Sequence, residues 1–171
     1  NYMNKILLPL AVFLLTNSTI QAQKFAYVDT DYILKKIPEF KQAQDKIDDF
    51  SINWQEEIEA KYADVEKMYR SYQKEQVLLT DEMKKKREEA IMNKEANAKN
   101  LQQKYFGPSG ELDLKRKELI QPILDKIYDA TQQLAANNKY QVIFDSSSDL
   151  IMLHKNNNLD KSDKVLEIMG Y

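Results

Sequence analysis

The chain has 171 residues, of which 30% are charged and 10% aromatic, with three glycines, no cysteine and a formal net charge of −2. This aromatic content excludes a solvated, disordered tail, and the nearly balanced charge excludes a general affinity for nucleic acid. The absence of cysteine excludes a disulfide framework and also a lipidated cysteine anchor.

The first residues have the pattern of a secretory signal peptide. Lys5 precedes an apolar run over Ile6–Leu15, and small and polar residues follow up to Ala22. The run has 10 residues, whereas a membrane-spanning helix needs about 20. We therefore predict a signal peptide over residues 1–22, cleaved after Ala22; the alternative is a buried core strand. An exported chain without disulfides needs a larger core or an oligomer for its stability.

A short strand over Lys24–Val28 precedes a long region of helix formers. The 68 residues between Pro38 and Gly107 contain neither proline nor glycine. Their apolar positions follow the spacing of a helical seam at Phe40, Ala43, Ile47, Phe50, Trp54, Ile58, Tyr62, Val65, Tyr69 and Tyr72. Because Thr80 stands before two carboxylates, the pattern of a helix N-terminus, we predict an antiparallel hairpin that turns at Thr80.

The second leg of this hairpin is less apolar and is interrupted before it reaches the base. Its apolar positions are Met83, Ala90 or Ile91, Ala98, Leu101 and Tyr105. The glycines and the proline of residues 107–110 cannot continue a regular helix. We expect a hinge or a bulge there, separating a distal arm from a proximal base.

The remainder of the chain predicts one long helix, two strands and a short helix. A wide apolar stripe at helical spacing covers about residues 111–138. Two apolar runs, Tyr140–Phe144 and Leu150–His154, are joined by Asp145–Asp149 in the pattern of a β-hairpin. The last helix ends at Gly170.

These elements predict an α+β fold, mostly α, in which a long antiparallel helical hairpin stands on a small β-containing body. We expect a discontinuous body over residues 23–50 and 108–171 and an arm over residues 51–107. Three short strands form a weak core by themselves, and open sheet edges favour completion by other subunits.

No pattern of catalytic chemistry, cofactor binding or metal binding is present. The single histidine, His154, has no cysteine or second histidine to accompany it. Asp29–Asp31 lacks the glycine and glutamate of a calcium loop, so a strand end and a helix cap explain it better. Asp145–Asp149 is interpreted as a turn. We therefore expect no enzyme activity, no cofactor and no metal.

Candidate binding residues lie along the first leg and around the turn of the hairpin. Large aromatic side chains face a second leg with smaller partners, so part of their apolar surface is expected to stay exposed. The candidates are Phe50, Trp54, Tyr62, Tyr69, Tyr72, Leu78, Leu79, Met83, Lys84, Lys85, Lys86 and Arg87.

The basic run Lys84–Arg87 has two interpretations. Pairs at i,i+4 spacing, Lys84 with Glu88 and Lys85 with Glu89, predict a solvated helix face. The alternative is attraction of anionic segments or of lipid headgroups, which would give a weak membrane-surface contact through the basic tip.

Taken in order, several segments of the chain resemble the Skp/OmpH family of periplasmic chaperones. They are Phe25–Asp29 after the signal peptide, the helical hairpin without glycine or proline, Phe106–Gly110, Leu119–Ile123, Tyr140–Asp145 and Leu159–Leu166. The resemblance covers essentially the whole mature chain. It implies a homotrimer in the periplasm, with a shared β-containing trimerisation body and three projecting arms, or tentacles.

The function implied by the resemblance is that of a holdase chaperone. Unfolded outer-membrane proteins would be held between the arms without ATP, and nucleic acid is not a partner. The best-known members are strongly basic, whereas residues 41–104 of this chain carry 13 basic and 14 acidic residues, so lipopolysaccharide binding does not carry over. The alternative function is a structural coiled-coil spacer or adaptor of the cell envelope.

Overall fold

The computed structural model describes residues 24–148 and 152–171. Its helices and strands are β1 (Lys24–Val28), α1 (Thr30–Lys36), α2 (Pro38–Glu75), α3 (Asp81–Phe106), α4 (Glu111–Asn138), β2 (Tyr140–Asp145) and α5 (Ser162–Met169), with 3₁₀ turns at Gln76–Leu78 and Asn157–Leu159. The fold is mostly helical, with a long hairpin and a small sheet, which confirms the predicted fold class. The predicted signal peptide lies outside the described residues.

The two described strands pair in parallel, although they are separated by most of the chain. Phe25 is opposite Val142, and Val28 is opposite Asp145. On its other side β1 contacts the segment before α5, because Tyr27 forms a bridge with Asp160. A parallel pair requires a crossover connection, and here the whole helical hairpin supplies it.

The predicted β-hairpin after Tyr140 is wrong in the part that the structure describes. Met152–His154 is not in a strand, and residues 149–151 lie outside the described residues. β2 takes β1 as its partner instead, and Asp145–Ser148 leads into a turn. The apolar run Leu150–His154 predicts a strand, but the residue of this region that pairs with β1 is Asp160, which forms a bridge with Tyr27.

The long hairpin forms where the sequence predicts it. α2 has 38 residues and α3 has 26, so the legs extend over about 57 Å and about 39 Å. Thr80 is the N-cap of α3, and its Oγ1 accepts a hydrogen bond of 3.3 Å from the backbone N–H of Met83. The prediction of the turn at Thr80 is confirmed.

The predicted interruption also lies where expected, between α3 and α4. Ser109 has a left-handed backbone with φ of 58°. A Cβ at Gly110 would stand 2.8–2.9 Å from three backbone carbonyl oxygens, those of Lys104, Tyr105 and Gly107. Only glycine fits this close approach of chain segments, so residues 107–110 form a tight link between the helices.

The hydrophobic core lies in the base of the molecule, where the strands, α1, α5 and the adjoining parts of α2 and α4 meet. Its buried side chains are Val28, Ile33, Leu34, Ile37, Ala43, Ile123, Ile127, Ala130, Leu134, Val165 and Leu166. Every buried member of the cluster comes from residues 28–43 or 123–166. The distal hairpin therefore depends on its own seam for packing.

Polar side chains fasten the two ends of the described chain to each other. Asp29 caps α1 by accepting from the N–H of Tyr32 at 2.9 Å, as the sequence predicts for this residue, and its own N–H donates to Ser162 Oγ at 2.9 Å. Asp145 Oδ1 accepts from the backbone N–H of Thr30 at 3.2 Å and from Ser147 Oγ at 2.7 Å. Burial acts to raise the pKa of Asp145, but the hydrogen bonds from Thr30 and Ser147 outweigh it and lower the pKa below its usual value.

The lowered pKa of Asp145 predicts a loss of stability in acid. Its contribution is present above the unfolded-state pKa of about 3.9 and is lost as the pH falls through the lower folded-state value. Asp145→Asn should lower the free energy of unfolding at neutral pH by about 0.5–1.5 kcal/mol, because the site is partly exposed, and the difference from the unsubstituted chain should narrow below about pH 4. Measuring denaturant unfolding from neutral pH to below about pH 4 tests this prediction.

The matched control for this experiment is Asp129→Asn on the exposed face of α4. Within the described residues Asp129 makes no side-chain hydrogen bond or ion pair, so this substitution should leave the stability at neutral pH unchanged. A constant difference between Asp145→Asn and the unsubstituted chain at every pH would contradict the assignment.

Candidate functional site

The inner faces of the two legs form a seam of alternating large and small side chains. Ile58 and Tyr72 of α2 are buried there, and Ile91 and Ala98 of α3 are buried on the opposite leg. The exposed fraction of Ala98 is 0%, because the two legs approach each other closely at this point. The small residues of α3 thus make room for the larger residues of α2.

Three aromatic rings stack where the arm joins the base. The ring of Trp54 lies 5.3 Å from that of Phe50 and 4.6 Å from that of Tyr105, and the Trp54 and Tyr105 planes are nearly parallel, at 7°. Lys115 Nζ of α4 stands over the Phe50 ring at 5.7 Å, and Lys104 Nζ stands over the Tyr105 ring at 5.5 Å. We call these five residues the elbow stack. It connects α2, α3 and α4 across the interruption at residues 107–110.

Tyrosine hydroxyls add polar contacts between the legs. Tyr105 donates to Glu57 at 2.8 Å, Tyr62 donates to Gln102 at 3.3 Å, and Tyr72 donates to Glu88. The hydrogen bond to Glu88 raises the pKa of Tyr72, and the bond to Glu57 raises the pKa of Tyr105. These bonds hold the phenol groups in the seam.

The sequence-predicted binding residues therefore separate into two groups. Phe50, Trp54 and Tyr72 pack in or beside the seam, and Tyr62 contributes its hydroxyl there while its ring is partly exposed. Tyr69 is half exposed. The other candidates lie near the tip and do not form a common pocket with the aromatic residues.

Further exposed apolar residues were not among the candidates. Ile52 on α2 is 57% exposed and Met92 on α3 is 67% exposed. Their positions fall outside the 3-4 spacing of the seam, which is the signal that would have placed them on the outer surface. Val77, which is exposed beside the candidate Leu78, is the third residue of the arm missing from the candidate set.

The tip of the hairpin exposes its apolar side chains. Val77 and Leu78 are 83% and 84% exposed, Leu79 is partly buried, and Met83 is half exposed. Arg87 Nη2 of α3 lies 3.3 Å from Glu75 Oε2 of α2, so an ion pair joins the legs immediately behind the tip. The tip is thus a closed turn with an apolar end.

The basic run forms different ion pairs from those predicted. Lys84 pairs with Asp81 at 3.5 Å, and Lys86 pairs with Glu82 at 3.0 Å. The predicted pairs of Lys84 with Glu88 and of Lys85 with Glu89 do not form. Glu88 accepts from Tyr72 instead, and Lys84 turns towards the first turn of α3. The solvated helix face is correct, but its partners are not.

The described residues contain no arrangement that indicates a reaction centre. No group of three or more metal-ligating side chains occurs within residues 24–148 and 152–171. A groove of about 600 Å³ lies between β2 and α4 and is open and mixed in polarity. In the same part of the chain, no helix combines the length and the hydropathy that a membrane crossing requires.

The chain matches a known protein family in sequence and a solved structure in fold. The profile of the family described as "Outer membrane protein (OmpH-like)" matches residues 24–169. A crystal structure of a candidate outer membrane chaperone (OmpH-like) from Caulobacter crescentus CB15 is similar with a TM-score of 0.68 and 11% identity, over 85% of this chain and 83% of that chain. At 11% identity, this similarity shows that the two proteins share a fold. No curated protein sequence matches the chain.

Substitutions of Tyr105 test the elbow stack. Tyr105→Phe keeps the ring against Trp54 and loses only the bond to Glu57, whereas Tyr105→Ala removes both. We expect Tyr105→Ala to lower the free energy of unfolding by about 1–2 kcal/mol more than Tyr105→Phe does, and to change the near-ultraviolet circular dichroism of Trp54. Equal losses for the two variants would show that stacking contributes nothing. Tyr62→Ala, which removes a partly exposed ring, serves as the control.

Proposed function

The chain belongs to the OmpH-like family of outer membrane proteins, and on that premise we propose that it is a periplasmic, non-enzymatic chaperone. In this proposal it holds unfolded outer-membrane proteins between its arms without ATP and prevents their aggregation. The family match supports a chaperone role, as does the description of the structurally similar Caulobacter protein.

One observation carries the proposal: exposed apolar side chains are dispersed along a charged arm. Ile52, Tyr62, Tyr69, Met83 and Met92 are all exposed, and they are distributed over the length of the two legs. A folded partner needs a contiguous complementary patch, which this arm does not offer. An unfolded chain can instead contact many separate sites weakly, and weak contacts permit later release.

The packing inside the seam supports an arm whose two legs stay together, and not one whose legs separate to bind a client. Trp54 stacks on two rings, and Tyr72 is buried with its hydroxyl bonded to Glu88. We therefore propose that a client chain contacts the exposed rings of Tyr62 and Tyr69 and the tip of the hairpin. Phe50, Trp54 and Tyr72 hold the legs together. This narrows the set of candidate binding residues to those with exposed apolar surface.

The proposed division into a body over residues 23–50 and 108–171 and an arm over residues 51–107 has support in the packing. The buried cluster of the base takes no residue from the proposed arm. Lys24–Val28 and Tyr140–Asp145 meet in the base although they are far apart in the sequence. The arm can thus vary its surface without disturbing the core.

We propose further that three bodies associate as a homotrimer. Within residues 24–148 and 152–171 the sheet has two strands and the outer edge of β2 is unpaired, and β2 exposes Val142 and Phe144 near the groove that it forms with α4. Tyr128 of α4 lines the same groove and is 64% exposed. Apolar surface of this extent beside an open strand edge fits an interface between subunits.

The solution mass of the chain without residues 1–22 tests the trimer. Multi-angle light scattering should give three times the mass of one chain. Val142→Glu should shift the mass towards that of one chain, because a charge would be buried at the proposed interface. Met92→Glu, an equal change on the arm, should leave the mass unchanged. A single-chain mass for the unsubstituted protein would contradict the proposal.

Suppression of aggregation tests the chaperone function. A denatured β-barrel outer-membrane protein is diluted with and without the chain, and light scattering follows its aggregation. We expect suppression near the stoichiometric ratio. The triple variant Tyr69→Ser, Met83→Ser, Met92→Ser should require several times more protein for the same effect, because each lost apolar contact weakens binding.

The matched control replaces the same three residues with leucine, which keeps their apolar surface and should keep the activity. Unchanged scattering at severalfold excess of the unsubstituted protein would contradict the holdase function. It would favour a structural spacer, for which a pull-down should yield a single folded partner.

A further inference from the structure

We propose that the tip of the arm inserts into the surface of a lipid bilayer, through an apex formed by Val77 and Leu78. This interaction does not depend on the client-holding function, because it requires no polypeptide partner. It rests on the exposure of the apex, the way the hairpin supports it, and the charges that surround it.

The apex is exposed because its two residues lie in an ordered turn, and not because a helix end is frayed. Both residues lie in the 3₁₀ turn Gln76–Leu78 between the legs, and more than four-fifths of each is exposed. The turn is closed by the N–H of Leu79, which donates to the carbonyl of Gln76 at 3.3 Å. Two adjacent large apolar side chains are thus held outward at the end of the arm.

The surroundings of the apex are nearly neutral in charge. Lys84 and Lys86 are paired with Asp81 and Glu82, and Arg87 is paired with Glu75 across the hairpin. Residues 75–87 contain four basic and three acidic side chains, which leaves a net charge of about +1. Lys85 makes no ion pair within this described segment. Apolar burial is therefore the main driving force, with a small preference for anionic lipid.

The shape of the tip favours a lipid surface over a folded protein. A specific protein interface buries on the order of 800 Å² on each partner, far more than two side chains at a turn expose. A fluid lipid surface closes around a convex apolar end, and lysine stems behind it can extend their amino groups into the headgroup layer. Lys84 to Lys86 lie one helical turn from the start of α3, in position for this role.

Vesicle flotation tests the apex. The chain without residues 1–22 is mixed with phosphatidylcholine vesicles and, separately, with vesicles that also contain anionic phosphatidylglycerol. We expect binding to both, slightly stronger to the anionic vesicles, and retained at high salt because ion pairs are not its basis. The double variant Val77→Ser, Leu78→Ser should bind at least about tenfold more weakly.

The matched control is Ile52→Ser, Met92→Ser, which removes two exposed apolar residues from the sides of the arm. It should float as the unsubstituted chain does. An equal loss in both variants, or no loss in the apex variant, would overturn the proposal, as would the absence of flotation. If the apex variant floats normally but no longer suppresses aggregation, the apex serves client binding alone and the lipid assignment is wrong.

A fluorescent reporter gives a direct second measurement. Leu78→Trp in a Trp54→Phe background places the only tryptophan at the apex, since Trp54 is the sole natural one. Its emission should shift to shorter wavelength when vesicles are added. Met92→Trp in the same background should show no shift, and a shift there equal to that of Leu78→Trp would contradict end-on insertion.

Discussion

The parallel pairing of β1 with β2 is the constraint from which the rest of the architecture follows. These strands are joined through more than a hundred residues, so the intervening helices must leave the base and return to it. α2 leads outward in one continuous helix, while α3 and α4 divide the return between them. The interruption at residues 107–110 lies where the return leg passes from the arm into the base.

Closing the sheet also brings together the polar groups that fasten the base. Asp145 at the end of β2 reaches the first turn of α1, and Ser162 at the start of α5 accepts from Asp29. Each contact joins residues more than a hundred positions apart, so none can form until the hairpin has returned. The base is therefore stabilised by long-range contacts, and the arm by contacts between neighbouring legs.

The arm divides its apolar residues between structure and surface. The elbow stack and the buried Tyr72 use large rings to join the legs, and small residues such as Ala98 allow the helices to approach. Apolar residues outside the seam spacing remain exposed, as do the two at the apex. Ion pairs among residues 75–87 neutralise most of the charge around that apex, so its exposed surface is chiefly apolar.

The sequence by itself determined the features that depend on local chemistry. Thr80 before two carboxylates predicts a helix start, residues 107–110 cannot continue a helix, and Lys24–Val28 has the composition of a strand; each is confirmed because capping and backbone conformation involve only neighbouring residues. Tertiary structure alone decided which strands pair, and it left Met152–His154 out of the sheet. It also decided which aromatic rings are covered and which acid each lysine pairs with. Those outcomes depend on residues brought together from distant parts of the chain, and no local pattern encodes them.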